Sequence, residues 1–154
     1  QILSTGYNGS MPGAPHCSEG PTSSSGKPFC FRRSIKAPES DKYNYCRASH
    51  AEANAVARAA KLGIRLEDST LFVTLAPCYV CLKLLASAGV KHIYYEHSYE
   101  STDNERDRFW RLVVDESPLV TFEQLNVSEE TVRQIMGTFK GHTSARNLSE
   151  EYDI

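Results

Sequence analysis

Four residues have the types and spacing to do chemistry together. His50 and Glu52 stand two apart in Ser49-His50-Ala51-Glu52, and Cys78 and Cys81 stand three apart directly behind Pro77. On a helix, residues three apart share a face, so both sulfurs can turn toward one point. A cysteine in the first turn of a helix is also favoured as thiolate, because backbone N–H groups aim at it. Two thiolates and one imidazole supply three of the four tetrahedral ligands that Zn2+ prefers, and a catalytic zinc site keeps the fourth position for water. Water held in this way ionises near neutral pH. Glu52, two residues past the imidazole, would lie close to the metal and remain free to move protons. Each half has a plainer explanation. Ser49 and Glu52 fit the S-x-x-E capping box, and a C-x-x-C fits a redox pair or half of a structural zinc site. Together, the two halves favour catalysis over capping, with Ser49 still available as a cap.

Such a site needs two helix starts held side by side, and the surrounding sequence predicts them. Ser49–Leu62 is alanine-rich, has no Gly or Pro, and stops at Gly63, so it is expected to be helical. Thr70–Ala76 is an apolar run with β-branched residues, expected as a buried strand. Pro77 opens a second helix, Cys78–Ala88, which ends at Gly89. Val90–Tyr95 reads as the next strand and Asp103–Glu116 as a helix with Phe109, Leu112 and Val113 along one face. Leu119–Leu125 reads as another strand, and Ser128 caps a last helix with Glu129 and Glu130 in its first turn. Ile2–Tyr7 is expected as a short strand. The alternation of helix and strand predicts a three-layer α/β/α fold with a mixed, mostly parallel sheet. Ligands in such folds sit where strands end and helices begin.

The remaining cysteines lie elsewhere. Cys17, Cys30 and Cys46 flank or lie in residues 16–47, a polar insert with no helical or alternating period. A structureless loop of that length is unusual in a compact domain, and a metal clip would hold it. An odd total of 5 cysteines, in a chain expected to be cytoplasmic, argues against a disulfide framework. Three of them, with His16 as a fourth ligand, would make a structural zinc site. The chain of 154 residues fits one domain, expected over 1–140 with a polar tail over 141–154. At 40% apolar and 23% charged it is not disordered in composition. Lys+Arg 17 against Asp+Glu 19 leaves no broad electrostatic case for coating duplex nucleic acid. The charge-free stretch Ser69–Leu82 is interrupted by Pro77 and falls short of the roughly 20 residues of a spanning helix, so no membrane partner is expected. The chain opens on Gln1 rather than Met, and Ile2–Leu3 reads as the middle of a strand, which suggests that an N-terminal piece precedes it. A cytoplasmic location is expected.

H-x-E followed by P-C-x-x-C is the signature of the zinc nucleobase deaminases. With Thr5-Gly6-Tyr7-Asn8-Gly9-Ser10-Met11-Pro12-Gly13, His16-Cys17 and His50-Ala51-Glu52-Ala53-Asn54-Ala55, the chain resembles the cytidine deaminase superfamily over about residues 2–100, and within it the branch acting on deoxycytidylate (dCMP). The resemblance implies that His50, Cys78 and Cys81 hold a catalytic zinc. Glu52 would take a proton from the activated water and deliver it to N3 and the leaving amine, giving dUMP and ammonia. Backbone groups of Ala51 and Ala76 would hold the amide edge of the base, Asn8 the sugar and Tyr99 the phosphate. Asn54, four residues after His50, would touch nucleotide or bond a loop carbonyl. Many members of this branch are homohexamers regulated by dCTP and dTTP with a divalent ion such as Mg2+, and the resemblance implies that Gly6, Tyr7, Gly9 and the first helix would contribute to such an effector site. Some members also carry the structural zinc in the insert. The branch has a helix and a strand before the Gly-Tyr-Asn-Gly loop, which are missing here.

Three other readings compete. A deaminase acting on tRNA or single-stranded nucleic acid shares both motifs, but it needs a basic, aromatic-lined channel. Here the one basic cluster, Lys27, Arg32, Arg33 and Lys36, lies in the insert. A competence-related or guanine-type deaminase is a second. A zinc-stabilised nucleotide-binding module without catalysis is a third, and the intact Glu52 speaks against it.

Overall fold

The computed structural model describes residues 1–98, 111–116 and 120–134, apart from 23, 25, 28, 39, 40, 42, 113, 127, 129 and 132. Its elements are β1 (Gly9–Ser10), a 3-10 turn (Cys17–Glu19), α1 (Phe31–Ser34), β2 (Ala48–Ser49), α2 (Ala51–Lys61), β3 (Ser69–Leu75), α3 (Tyr79–Ser87), β4 (Val90–His97) and β5 (Thr121–Gln124). The order β3-β4-β5 forms a three-stranded parallel sheet, and β1 pairs with β2 in a separate antiparallel ladder. Parallel neighbours require a crossover, and α3 provides the one between β3 and β4. The fold is therefore mixed α/β with a parallel sheet, as the alternation predicts.

Register decides which face is buried. Leu71, Ile93 and Phe122 lie opposite one another across β3, β4 and β5, while Phe72, Tyr94 and Glu123 occupy the next positions and face the other way. The first set packs against Leu82 and Leu85 of α3, Val56 of α2 and Val90, making one apolar cluster. Leu85 and Ile93 are fully buried at its centre, each stabilising the fold by about 1.5–3 kcal/mol. Phe72, on the opposite face, is exposed and stacks on Tyr94 at 5.5 Å.

Glycines end both long helices as expected. After α2, Gly63 takes φ 66, its N–H bonds Ala60 O, and the Ile64 N–H reaches back to Ala59 O at 2.9 Å. This double closure is the Schellman motif, which needs a left-handed residue. Gly89 ends α3 at φ 89 and passes so close to Glu67 that a Cβ there would meet its backbone at 2.9 Å. Among the described residues no helix is long and apolar enough to cross a membrane.

Several expectations are corrected. Residues 2–7 form no strand; they run beside α2, where Ser4 Oγ donates to Ala55 O. The helix expected from Ser49 begins at Ala51, because Ser49 belongs to β2, paired with Gly9. Ser49 therefore caps nothing. The insert is not devoid of helix: it holds the Cys17–Glu19 turn and α1. Ser128 does act as a cap, accepting from the Thr131 N–H at 3.1 Å. The expected Asp103–Glu116 helix falls largely outside the described residues, and the tail 141–154 wholly so.

Candidate active site

The site is built from two helix starts. His50 is the residue immediately before α2 and Cys78 the one immediately before α3, both with extended backbone (φ −65, ψ 150 and φ −67, ψ 162). That conformation swings the side chain beside the first turn of its helix. Cys81 lies in the first turn of α3, one turn on from Cys78. Glu52 lies in the first turn of α2 and is buried. Since α2 and α3 pack together on the same sheet face, their starts meet near the C-terminal end of β3, where the chain turns through buried Ala76 and Pro77.

The geometry suits a tetrahedral cation. His50 Nδ1 lies 3.5 Å from Cys78 Sγ and 3.4 Å from Cys81 Sγ. The three donor atoms lie within 4.8 Å of one another. A zinc ion with metal–sulfur bonds of about 2.3 Å and a metal–nitrogen bond of about 2.05 Å separates S and N donors by about 3.5 Å. The two nitrogen–sulfur separations thus match the spacing zinc requires.

The electrostatics agree. The hydrogen bond from Cys81, together with His50, brings the Cys78 thiol down from 9.0 to about 5 against its burial. Cys81 moves the other way, raised by its hydrogen bond with Cys78, then by burial and by the Glu52 carboxylate. Without a cation the two sulfurs thus share one negative charge; a divalent ion would stabilise both as thiolates.

A segment 43 residues upstream supports the site. Asn8 Oδ1 accepts the Ala51 N–H at 2.9 Å, satisfying a donor that the first turn of α2 cannot satisfy itself. Asn54 Nδ2 donates to Tyr7 O at 2.8 Å and more weakly to Ser49 O at 3.4 Å. Of the two roles expected for Asn54, this is the loop-carbonyl bond. Gly6 runs so close to α2 that a Cβ would stand 2.0 Å from Ala51 O. Gly9 is buried in β1 beside Tyr7 and His16. Of the Ala51 and Ala76 backbone groups expected at the base, the N–H groups bond Asn8 Oδ1 and His97 O (2.8 Å). Tyr99 lies outside the described residues.

Two features were invisible in the sequence. Tyr43, from the insert, stands edge-on to the His50 ring with centroids 5.4 Å apart; no local pattern announces a contact between a turn residue and a candidate ligand seven positions later. The cap from Asn8 was equally hidden, because capping patterns are local. Among the described residues the donor atoms that gather in a group of three are those of His50, Cys78 and Cys81; His16, Cys17, Cys30 and Cys46, expected at a second zinc, stand outside that group. Instead Cys30 precedes α1, Cys46 is exposed, and the His16 N–H bonds Glu19 at the 3-10 turn. Arg32 and Arg33 beside Cys30 hold its thiol below the ordinary value despite the opposing effect of desolvation.

The MafB19-like deaminase family model matches residues 2–141. The chain is 29% identical over 133 residues to ComE operon protein 2 of Bacillus subtilis, covering 86% of this chain and 58% of that protein. It is 31% identical over 122 residues to the deoxycytidylate deaminase of phage T4, covering 65% of this chain and 63% of that enzyme. The chain therefore spans about three fifths of the length of these relatives. Its fold is similar to the crystal structure of dCMP deaminase from cyanophage S-TIM5 in complex with dCMP and dUMP, at TM-score 0.52 and 31% identity, covering 81% of this chain and 74% of that one.

Proposed function

This chain belongs to the MafB19-like deaminase family, within the cytidine deaminase superfamily, and we propose that it hydrolyses dCMP to dUMP and ammonia, supplying dUMP for thymidylate synthesis. The observation that carries the proposal is the convergence of His50, Cys78 and Cys81, with Glu52 buried in the first turn of the helix that His50 precedes. His50, Cys78 and Cys81 would hold the zinc. Bound there, zinc supplies a Lewis acid that makes water a nucleophile near neutral pH. Glu52 accepts a proton from the attacking water and passes protons to N3 and to the leaving amine; a C4–O bond forms, the C4–N bond breaks, and ammonia departs. Asn8, its Oδ1 engaged on Ala51, offers Nδ2 to a sugar hydroxyl. Ala51 and Ala76 frame the base, and Tyr99 reaches the phosphate. The relatives named as deoxycytidylate deaminases support dCMP over other aminopyrimidines.

The finer parts of the reading are a cytoplasmic homohexamer, activated by dCTP and inhibited by dTTP with Mg2+. Gly6, Tyr7, Gly9 and the α2 start would contribute to the effector site. A structural zinc on Cys17, Cys30, Cys46 and His16 requires those four to draw together on binding. Metal analysis distinguishes two zinc per chain from one. Ammonia release from dCMP, cytidine, deoxycytidine and a tRNA stem-loop tests substrate. Turnover of dCMP is expected to dominate; preferential turnover of the stem-loop would transfer the chain to the nucleic-acid deaminases, and no turnover of any would favour a binding module.

A further inference from the structure

The segment leading to β1 touches α2 repeatedly within one turn and a half. Ser4 Oγ bonds Ala55 O, Gly6 abuts Ala51 O and Ala55 N, Tyr7 O accepts from Asn54, and Asn8 Oδ1 accepts from Ala51. Directly beyond, Gly9 and Ser10 pair with Ser49 and Ala48. Residues 4–10 thus run along residues 48–55, on both sides of His50. In these contacts Asn54 is the side chain that α2 extends to the segment, and it takes hold one residue before Asn8.

We propose that Asn54 is a positioning residue for the candidate metal centre. Its Nδ2 fixes the Tyr7 carbonyl, which places the Asn8 carboxamide over the Ala51 N–H. That cap sets the first turn of α2, and with it the presentation of His50 and Glu52 to Cys78 and Cys81. Asn54 and Asn8 therefore act as one unit on the metal site, Asn54 through the Tyr7 carbonyl and Asn8 through the Ala51 N–H. The inference deepens the zinc-site reading above and rests on it.

Zinc affinity of the purified protein, measured by competition with a chromophoric chelator and no nucleotide present, tests this directly. Asn54→Leu keeps the side-chain bulk and removes the donor; it is expected to weaken zinc binding by about tenfold, as loss of outer partners of a metal ligand does. Asn8→Ala is expected to do the same. The double variant should lose little beyond either single one, because the two share one pathway. Helical circular dichroism of the zinc-free variants checks that each is folded, and Asn54→Gln, which retains a donor, should recover part of the affinity. Unchanged zinc affinity in Asn54→Leu with a raised KM for dCMP would overturn the proposal and make Asn54 a nucleotide contact. Additive losses in the double variant would overturn the shared pathway. If the unaltered protein binds no zinc, the metal-site reading falls as well; if it binds zinc and only the Asn54→Leu result fails, the metal-site reading stands without the clasp.

Discussion

At the residue scale the chemistry depends on buried Glu52 and on the sulfur pair of half-buried Cys78 and buried Cys81. Glu52→Gln keeps the shape and removes the base. It is expected to lower kcat on dCMP by about 10²–10⁴-fold while leaving zinc content unchanged, measured by ammonia release beside metal analysis; full turnover would remove Glu52 from the proton path. The sulfurs make a pH prediction for the zinc-free protein. Cys78 ionises near 5 against an ordinary 9.0, so between those values the folded state binds one proton fewer than the unfolded chain. Stability of the zinc-free form should therefore rise with pH from about 5 toward 9 and be lost as pH falls through 5. Cys81, held protonated, reverses the slope above 9. Ultraviolet thiolate absorbance should show one sulfur of the pair titrating near 5, absent in Cys78→Ser; two sulfurs titrating together near 9 would contradict the shared charge.

At the scale of elements, two close approaches can be tested separately. Gly6→Ala pushes a methyl into Ala51 O and Ala55 N, and is expected to cost about 1–3 kcal/mol and to weaken zinc retention, since the displaced segment carries the α2 cap. Leu85→Ala opens the centre of the apolar cluster and should cost about 2–5 kcal/mol in denaturant unfolding, with the metal donors still in place. A Gly6→Ala protein of unaltered stability would contradict the packing of the segment on α2. The helices and strands of residues 51–97 were legible in the sequence because alanine content, β-branched runs and terminal glycines are local signals. Ile2–Tyr7 was misread because its apolar start satisfies strand propensity, while its hydrogen bonds go to a helix. Ser49 was misread because the S-x-x-E pattern matches a cap that Asn8 supplies from a distance. His50, Glu52, Cys78 and Cys81 could be singled out from spacing, and so could Asn54 with a loop-carbonyl bond as one of two roles, though not which carbonyl it would meet; Tyr43 could not, because its role depends on which remote ring the fold brings alongside.

At the scale of the whole molecule, the candidate metal site joins the starts of α2 and α3, which share the core with the parallel sheet. A ligand that binds only the folded state stabilises it in proportion to the logarithm of its concentration. Zinc at about a thousand times its dissociation constant should add about 4 kcal/mol to unfolding, read as a rise in Tm that chelation reverses. His50→Ala should abolish that rise, and a rise that survives would point to ligands elsewhere, with Cys17, Cys30 and Cys46 the first to replace. The surface ion pair of Lys91 with Asp68, both exposed, lies far from this economy and contributes little.

The central claim, hydrolysis of dCMP at the His50–Cys78–Cys81 centre, is tested most directly by following dUMP and ammonia from dCMP with the same protein before chelation, after it, and after zinc is restored. Equal amounts of both products, lost with the metal and recovered with it, are predicted. Undiminished turnover by the metal-free protein, or none by the zinc-loaded one, would contradict it.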